Sequence, residues 1–458
     1  MQQMGDEQKM HRMYEGSMKK NFFLFALPLV LSALLSQGYH IIDTVMASRL
    51  IGDRAVAAIG STAPLITLIS SMIWGYGSGF AIYVAVLFGS GEYKKMANVI
   101  KVNIILIAVF SVLISVLCIV FYDRIFDFLN IGEDIRREAF LYFSMYISGL
   151  VFLQFGWNGV YIANALGATK IPFAASVITC VLNIAGNYIF VKVFDMGVLG
   201  LALATVLAAF CVSVFYIVQF IRSFKTMKVP ARGLYFSSME LGTSVAYAIP
   251  NMLQQSVMYF CTAFISPLTN LSGESAIAGF TVGMKLYDLN AGVYQNSNKT
   301  VTNYVAQCVG AKKYSVIKKG ISWGFLQTLM FVAPFLLVTI FGAGVISRSF
   351  LNSAESIHYA KVFMRICMPF ALFNVVNNLM HAVFRSMGAR KYLVLSTVIY
   401  AVSRVAFSYL LFGKFEMYGL YAGMVLSWIT EAVFAMCVYL SGAWKSAEYK
   451  EYEKKEER

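Results

Sequence analysis

An aspartate stands at position 43, inside the first long apolar run of the chain. A carboxylate carried into hydrocarbon costs about 2.5–3.5 kcal/mol on insertion scales, so such residues are kept where they serve a function and find a partner. A lone acid in that setting can hold a proton or a monovalent cation. The structural alternative puts Asp43 near the outer end of the run, reaching headgroups or water. Gln37, Tyr39 and His40 precede it on the same run and are candidates to line a cavity. The second half of the chain carries Lys285, Asp288, Lys299, Arg365, His381, Arg404 and Glu431 within or beside apolar runs. Lys285 and Asp288 are three residues apart, hence on one helical face, and are expected to neutralise each other. Arg404 and Glu431 are expected to pair, because an unpaired buried charge is expensive. The amides Asn158, Asn164, Gln254, Gln255, Asn374 and Asn377 are candidates for the substrate cavity. Each serves equally well as interhelical hydrogen-bond glue worth about 0.6 kcal/mol.

Other chemistries are missing. Gly75-Tyr76-Gly77-Ser78-Gly79 imitates part of a dinucleotide loop, but it lies in an apolar run with no preceding strand, so close helix packing is the reading. The seven cysteines all fall inside apolar runs without CxxC spacing and read as small buried hydrophobes. No metal-ligand spacing, nucleophile elbow or P-loop is present, which disfavours a membrane hydrolase and a pump driven directly by ATP. The sequence therefore leads us to expect a protein that is not an enzyme, with no cofactor beyond a coupling ion and no structural metal.

These residues need elements that cross a bilayer. Of 458 residues, 59% are hydrophobic and only 13% are charged, and mean hydropathy is +0.67. A soluble domain carries about 25% charge. The class is an all-α integral membrane protein. Apolar runs fall at roughly 21–48, 56–88, 98–121, 139–163, 171–192, 197–220, 241–268, 276–308, 319–342, 358–381, 392–413 and 417–441, most of them near the ~20 residues that cross hydrocarbon. Pro28 is expected to bend the first, since proline deletes a backbone bond. The net charge of +14 does not signal nucleic acid, because the basic residues sit in short loops. Lys94, Lys95, Lys101, Lys170, Arg222, Lys225, Lys228, Lys312, Lys313, Arg390 and Lys391 fall on the side of both termini, which positive-inside makes cytoplasmic.

The chain also repeats itself. Ala55-Val56-Ala57-Ala58-Ile59 returns 221 residues later as Ala276-Ile277-Ala278-Gly279-Phe280. Gly167-Ala168-Thr169-Lys170 returns as Gly388-Ala389-Arg390-Lys391 at the same offset, and Pro28 returns as Pro250. A collinear series at nearly constant spacing implies two six-helix bundles related by a parallel internal repeat. The expected organisation is a cytoplasmic tail at 1–20, a first bundle at 21–220, a linker at 221–240, a second bundle at 241–442 and a charged tail at 443–458.

At this point the residues resemble a known family. Pro28 with Asp43-Thr44 and Ala57-Ala58 looks like the first hairpin of the multidrug and toxin extrusion (MATE) transporters. Asn164 to Pro172, Val181-Leu182-Asn183-Ile184 and Gly197 to Thr205 are similar to their following signatures. Ile249-Pro250 with Gln254-Gln255, and Val305-Ala306-Gln307 with Gly310-Ala311, match bacterial members in the second half. The resemblance covers roughly residues 20–442. It implies a cell-membrane exporter that uses inward H⁺ or Na⁺ to expel amphipathic organic cations through a cavity opening alternately to each side; separately, a monomer is expected. In that family the aspartate matching Asp43 belongs to a cation-coupling site with positions on the fifth and sixth spans, here Asn183 and Thr205. Asn187, one turn beyond Asn183, stands where many relatives carry a second carboxylate, so the choice between H⁺ and Na⁺ stays open. Span seven lacks the acid that some relatives carry there. Two alternatives remain: a lipid-linked oligosaccharide flippase, which typically has about fourteen spans, and a non-transporting membrane protein.

Overall fold

The computed structural model describes residues 12–129, 131–229 and 237–456. Residues 1–11 of the expected tail, 230–236 of the expected linker, and the side chains of Tyr39 and His40 lie outside that description. Fifteen α-helices follow one another: α1 (Met18–Leu50), α2 (Asp53–Ser90), α3 (Tyr93–Val120), α4 (Tyr122–Phe128), α5 (Arg136–Ser148), α6 (Leu150–Ala165), α7 (Lys170–Asn187), α8 (Gly197–Thr226), α9 (Ser238–Asn270), α10 (Glu274–Gly310), α11 (Ile317–Phe341), α12 (Ala343–Phe350), α13 (Ala354–Ser386), α14 (Arg390–Leu440) and α15 (Ala447–Glu456). A π-helical turn, Tyr188–Val193, extends α7.

Three of these elements change the count of spans. α5 and α6 meet at a 53° bend and together make one crossing. α14 is two helices, because Glu416 breaks it with φ 49° and ψ −126°. The chain reverses there: a side chain on Gly423 would collide with the backbone of Phe407 and Ser408, so the second limb runs back along the first. With α1, α2, α3, α7, α8, α9, α10, α11 and α13 these give the twelve-helix architecture of the all-α membrane class. α9 and α10 are long enough to span but carry polar stripes, Ser244, Asn251 and Gln254 on one and Asn290, Ser297, Asn298 and Asn303 on the other, all buried. Such stripes belong inside a bundle, where polar groups find partners.

Packing divides the chain into two compact units that do not follow chain order. One holds Leu31–Met252; the other holds Met13–Val30 together with Leu253–Arg458. The boundaries expected at 221–240 are therefore displaced, and α1 and α9 each contribute to both units. Pro28 and Pro250, the repeat-related prolines, each lie two residues before the helix passes from one unit to the other.

In the first unit the start of α9 lies directly on α2. Asn251 Nδ2 donates to Ser78 Oγ (3.2 Å), Asn103 Nδ2 to Ser244 Oγ (2.9 Å), and the rings of Tyr83 and Tyr247 stack at 5.8 Å. Gly75 and Gly79 permit this approach. A Cβ on Gly79 would sit 2.5 Å from Ala248 Cα, and one on Gly75 the same distance from Met252 Cα. The Gly75–Gly79 segment is thus a packing surface, as the small-residue spacing requires. We expect Gly79→Ala to cost about 1–3 kcal/mol through overpacking. Gly60→Ala, on the same helix with nothing within 4 Å, should be neutral or stabilise by up to about 1 kcal/mol. Thermal unfolding of both variants in detergent checks the contrast; equal melting temperatures would refute it.

In the second unit the first and last described segments, from Met13 and through Glu456, are packed into the core. Met13, Phe22, Tyr304, Tyr314, Trp444 and Tyr449 belong to one buried cluster. The Met13 N–H donates to Gln307 Oε1 at 2.9 Å. α15 covers the start of α11: Tyr314 Oη donates to Glu448 Oε2 (2.7 Å), Lys318 and Lys445 both reach Glu453, and Tyr314 and Tyr449 stack at 5.2 Å. The segment expected as a charged tail is a docked helix. Burial by itself would raise the Glu453 carboxyl, but the hydrogen bonds from Lys445 and Lys318 outweigh it and hold the group below its ordinary 4.5. A depressed acid stabilises the docked state above its free value and loses that contribution as pH falls through the lowered one. The protection factors of the amides in 447–456, each rate taken relative to the intrinsic exchange rate at the same pH, should therefore be high at neutral pH and fall below about pH 4. Protection that ignores pH across that range would count against the ion-pair clamp.

Candidate cation-coupling site

The first unit brings the four expected coupling residues into one hydrogen-bonded chain. α7 supplies Asn183 and Asn187 one turn apart, 1% and 0% exposed. Asn187 Nδ2 donates to Asp43 Oδ1 and also to Asn183 Oδ1 at 3.2 Å. Asn183 Nδ2 donates in turn to Thr205 Oγ1 at 3.1 Å, and Thr205 donates to the Leu201 carbonyl, also at 3.1 Å. The i, i+4 spacing makes this possible, because it stacks both amides on one face of α7. α8 can approach that face closely. Gly186 lies against Ala204, and Gly200 against Phe190.

The wide π turn begins directly after Asn187. Such turns shift the register of one helical face relative to the rest and recur at functional sites. Neither composition nor spacing announces it in the sequence. Tyr146, which hydrogen-bonds Ser70, lies within electrostatic reach of Asp43; both are residues that the sequence reading passed over.

The arrangement has a defined capacity. Asn187 spends both amide hydrogens on Asp43 and Asn183, yet its Oδ1 is buried with no hydrogen-bond partner. An unpaired buried carbonyl costs about 1–3 kcal/mol and needs an explanation. Beside a carboxylate, a monovalent cation would take that oxygen as a ligand. A proton on Asp43 would let the amide turn and accept the acid O–H. Oxygen donors of this kind suit a hard cation such as Na⁺ as well as a proton.

The remaining expected residues are dispersed. Gln37 is half-buried on α1, and α1 runs unbroken through Pro28. Asn158 donates to the Gln154 carbonyl (2.7 Å) and Oε1 (3.0 Å), while both polar atoms of Asn164 are buried without a hydrogen-bond partner. In the second unit Asn374 donates to Tyr287 Oη (2.5 Å), Asn377 to the Trp428 carbonyl (3.0 Å), and Gln255 is half-buried. Asn158, Gln254 and Asn377 are buried and hydrogen-bonded, a placement that favours interior hydrogen bonding over an open cavity wall; Asn164 is buried as well.

The two expected charge pairs are not formed. Lys285 and Asp288 are both exposed on α10, and neither makes an ion pair among the described residues. Arg404 reaches the Leu420 carbonyl (3.4 Å), whereas Glu431 meets His381 Nε2 at 3.0 Å and accepts from Asn377 Nδ2 (2.9 Å) and Ser396 Oγ (3.2 Å). The reason is axial level. Ser396 lies beside Glu431, and Arg404 is eight residues, about 12 Å of helix, further along the same limb.

Comparison with known proteins places this geometry in a family. The MatE family model matches residues 28–189 and again 246–410, one stretch in each half of the chain. The chain belongs to the MatE family. It is 23% identical over 439 residues to the probable multidrug resistance protein YpnP of Bacillus subtilis (strain 168), covering 94% of this chain and 97% of that one. It is 20% identical over 436 residues to the multidrug export protein MepA of Staphylococcus saprophyticus, covering 95% and 96%. A solved structure of a multidrug resistance MATE family transporter of the MOP superfamily, in an outward-facing conformation, superposes with a TM-score of 0.88 at 20% identity and covers 97% of this chain and 99% of that one. At that identity the superposition establishes the MATE fold.

Proposed function

We propose that this protein is a secondary active antiporter that exports amphipathic organic cations in exchange for H⁺ or Na⁺. The observation that carries the reading is the Asp43–Asn187–Asn183–Thr205 chain with its unpartnered Asn187 oxygen, the cation-ready cluster of the first unit. The names of the bacterial relatives, a probable multidrug resistance protein and a multidrug export protein, support drug-like organic compounds as the cargo. Aromatic side chains, 15% of the sequence, offer π faces to an organic cation.

Coupling follows from linkage. A cation bound at Asp43 stabilises one arrangement of the chain and the exported compound another, so the two ligands compete through states without touching. The bends that such a change requires fall at Pro28 and Pro250. There each helix lacks a backbone hydrogen bond, next to the point where it changes unit. The distribution of Lys and Arg supports a cell-membrane protein with both termini in the cytoplasm.

The test uses vesicles loaded with the purified chain, in which Na⁺ and pH gradients are imposed separately and a fluorescent organic cation is followed. Efflux driven by either gradient supports antiport. Equilibration indifferent to both gradients would refute it.

A further inference from the structure

We propose that the second unit carries a proton-binding site of its own, formed by the His381–Glu431 pair and independent of the Asp43 cluster. His381 comes from α13, Glu431 from the second limb of α14, Ser396 from the first limb and Gln254 from α9. The two titratable side chains are 7% and 3% exposed.

Counting donors and acceptors shows why the pair takes a proton rather than serving only as a brace. Glu431 receives hydrogen bonds from Asn377 Nδ2 and Ser396 Oγ, and His381 Nε2 stands 3.0 Å from its Oε1 and 3.1 Å from the Ser396 hydroxyl, which accepts from Nε2–H while donating to Glu431. With Nε2–H directed at the carboxylate and this hydroxyl, Nδ1 of the neutral ring accepts from Gln254 Nε2 at 2.5 Å. That state leaves Gln254 Oε1 buried with no hydrogen-bond partner. When a proton reaches Nδ1, the same amide turns over and Oε1 accepts it. The turn exchanges one unsatisfied amide end for the other, and it gains a charge-assisted bond from imidazolium to carboxylate, roughly twice the strength of a neutral one. Each protonation state of the ring therefore has its own orientation of Gln254. Histidine is also the side chain whose ordinary titration falls in the physiological range.

Other charged and titratable groups face the pair from the neighbouring helices. Arg385, on α13, donates from Nε to the His381 carbonyl at 3.1 Å, and Lys299, on α10, bonds Asn296 Oδ1 at 2.7 Å. Tyr294 of α10 and Tyr400 of α14 lie within electrostatic reach of Glu431, and Arg404 lies within reach of Tyr400. α11 has no charged residue beyond Lys319. Gln254 stands two residues past the boundary at Met252, where α9 enters the second unit, so the turning amide is placed where helix and unit join.

The test is nuclear magnetic resonance of the purified full chain with ring-¹⁵N histidine. The chain has four histidines, so the His381 signal is assigned by its loss in His381→Gln. The ring should pass between neutral and doubly protonated forms within the folded pH range. Glu431→Gln should lower its proton affinity about tenfold or more, and Gln254→Glu should raise it by a similar factor. Asp43→Asn should leave it unchanged, which separates this site from the coupling site of the first unit. A ring that stays neutral throughout, or a midpoint unmoved in either carboxyl variant, overturns the proposal. If Glu431→Gln does not fold, Gln254→Glu alone decides.

Discussion

Asp43→Asn is expected to abolish gradient-driven efflux while leaving the chain folded. The substitution keeps the shape of the side chain and removes both its charge and its capacity to take up a proton. A ligand that no longer distinguishes two states of a protein shifts nothing. Couplings between sites are typically about 5–150-fold in affinity, and that factor is what the variant should lose. Folding should survive, because Asn187 donates to the side chain at position 43 and an amide oxygen accepts as a carboxylate oxygen does. The measurement is efflux of a fluorescent organic cation from vesicles under an imposed Na⁺ or pH gradient. Efflux equal to that of the unsubstituted protein would remove Asp43 from the mechanism.

Asn187→Asp should act in a different way. It replaces the amide that holds Asp43 with a second acid at the same distance, and two carboxylates in contact do not both ionise. The pair then retains one proton, shared as a coupled titration. The pH dependence of efflux should move upward by about one unit or more. The hydrogen bond from position 187 to Asn183 should reverse, with the Asn183 amide turning to donate. A pH profile superimposable on that of the original chain would show that Asn187 does not face the coupling ion.

What the sequence made legible is what is local. The face shared by Asn183 and Asn187 follows from helical spacing, and the cost of an acid in hydrocarbon singled out Asp43 before any partner was visible. Together with the resemblance across the two halves, these were enough to assemble the first unit's cluster and the twelve-helix fold. Contacts across elements were not legible. Arg404 and Glu431 are opposite charges inside neighbouring apolar runs, but tertiary level sets Glu431 beside Ser396 and His381 instead. The π turn after Asn187 leaves no composition signal. The exchange of Met13–Val30 into the second unit depends on aromatic packing such as Phe22 on Tyr304, centroids 4.9 Å apart, between residues that spacing cannot bring together. α15 looked like a solvated tail because its charges are dense, yet Glu448 and Glu453 are the groups that dock it.

The account rests on where the coupling ion binds, and binding can be counted directly. Equilibrium uptake of ²²Na⁺ and of protons by the purified chain should fall by one cation per chain in Asp43→Asn, with proton uptake at His381 unaffected. Identical uptake by the two proteins would place the coupling ion elsewhere and contradict the account.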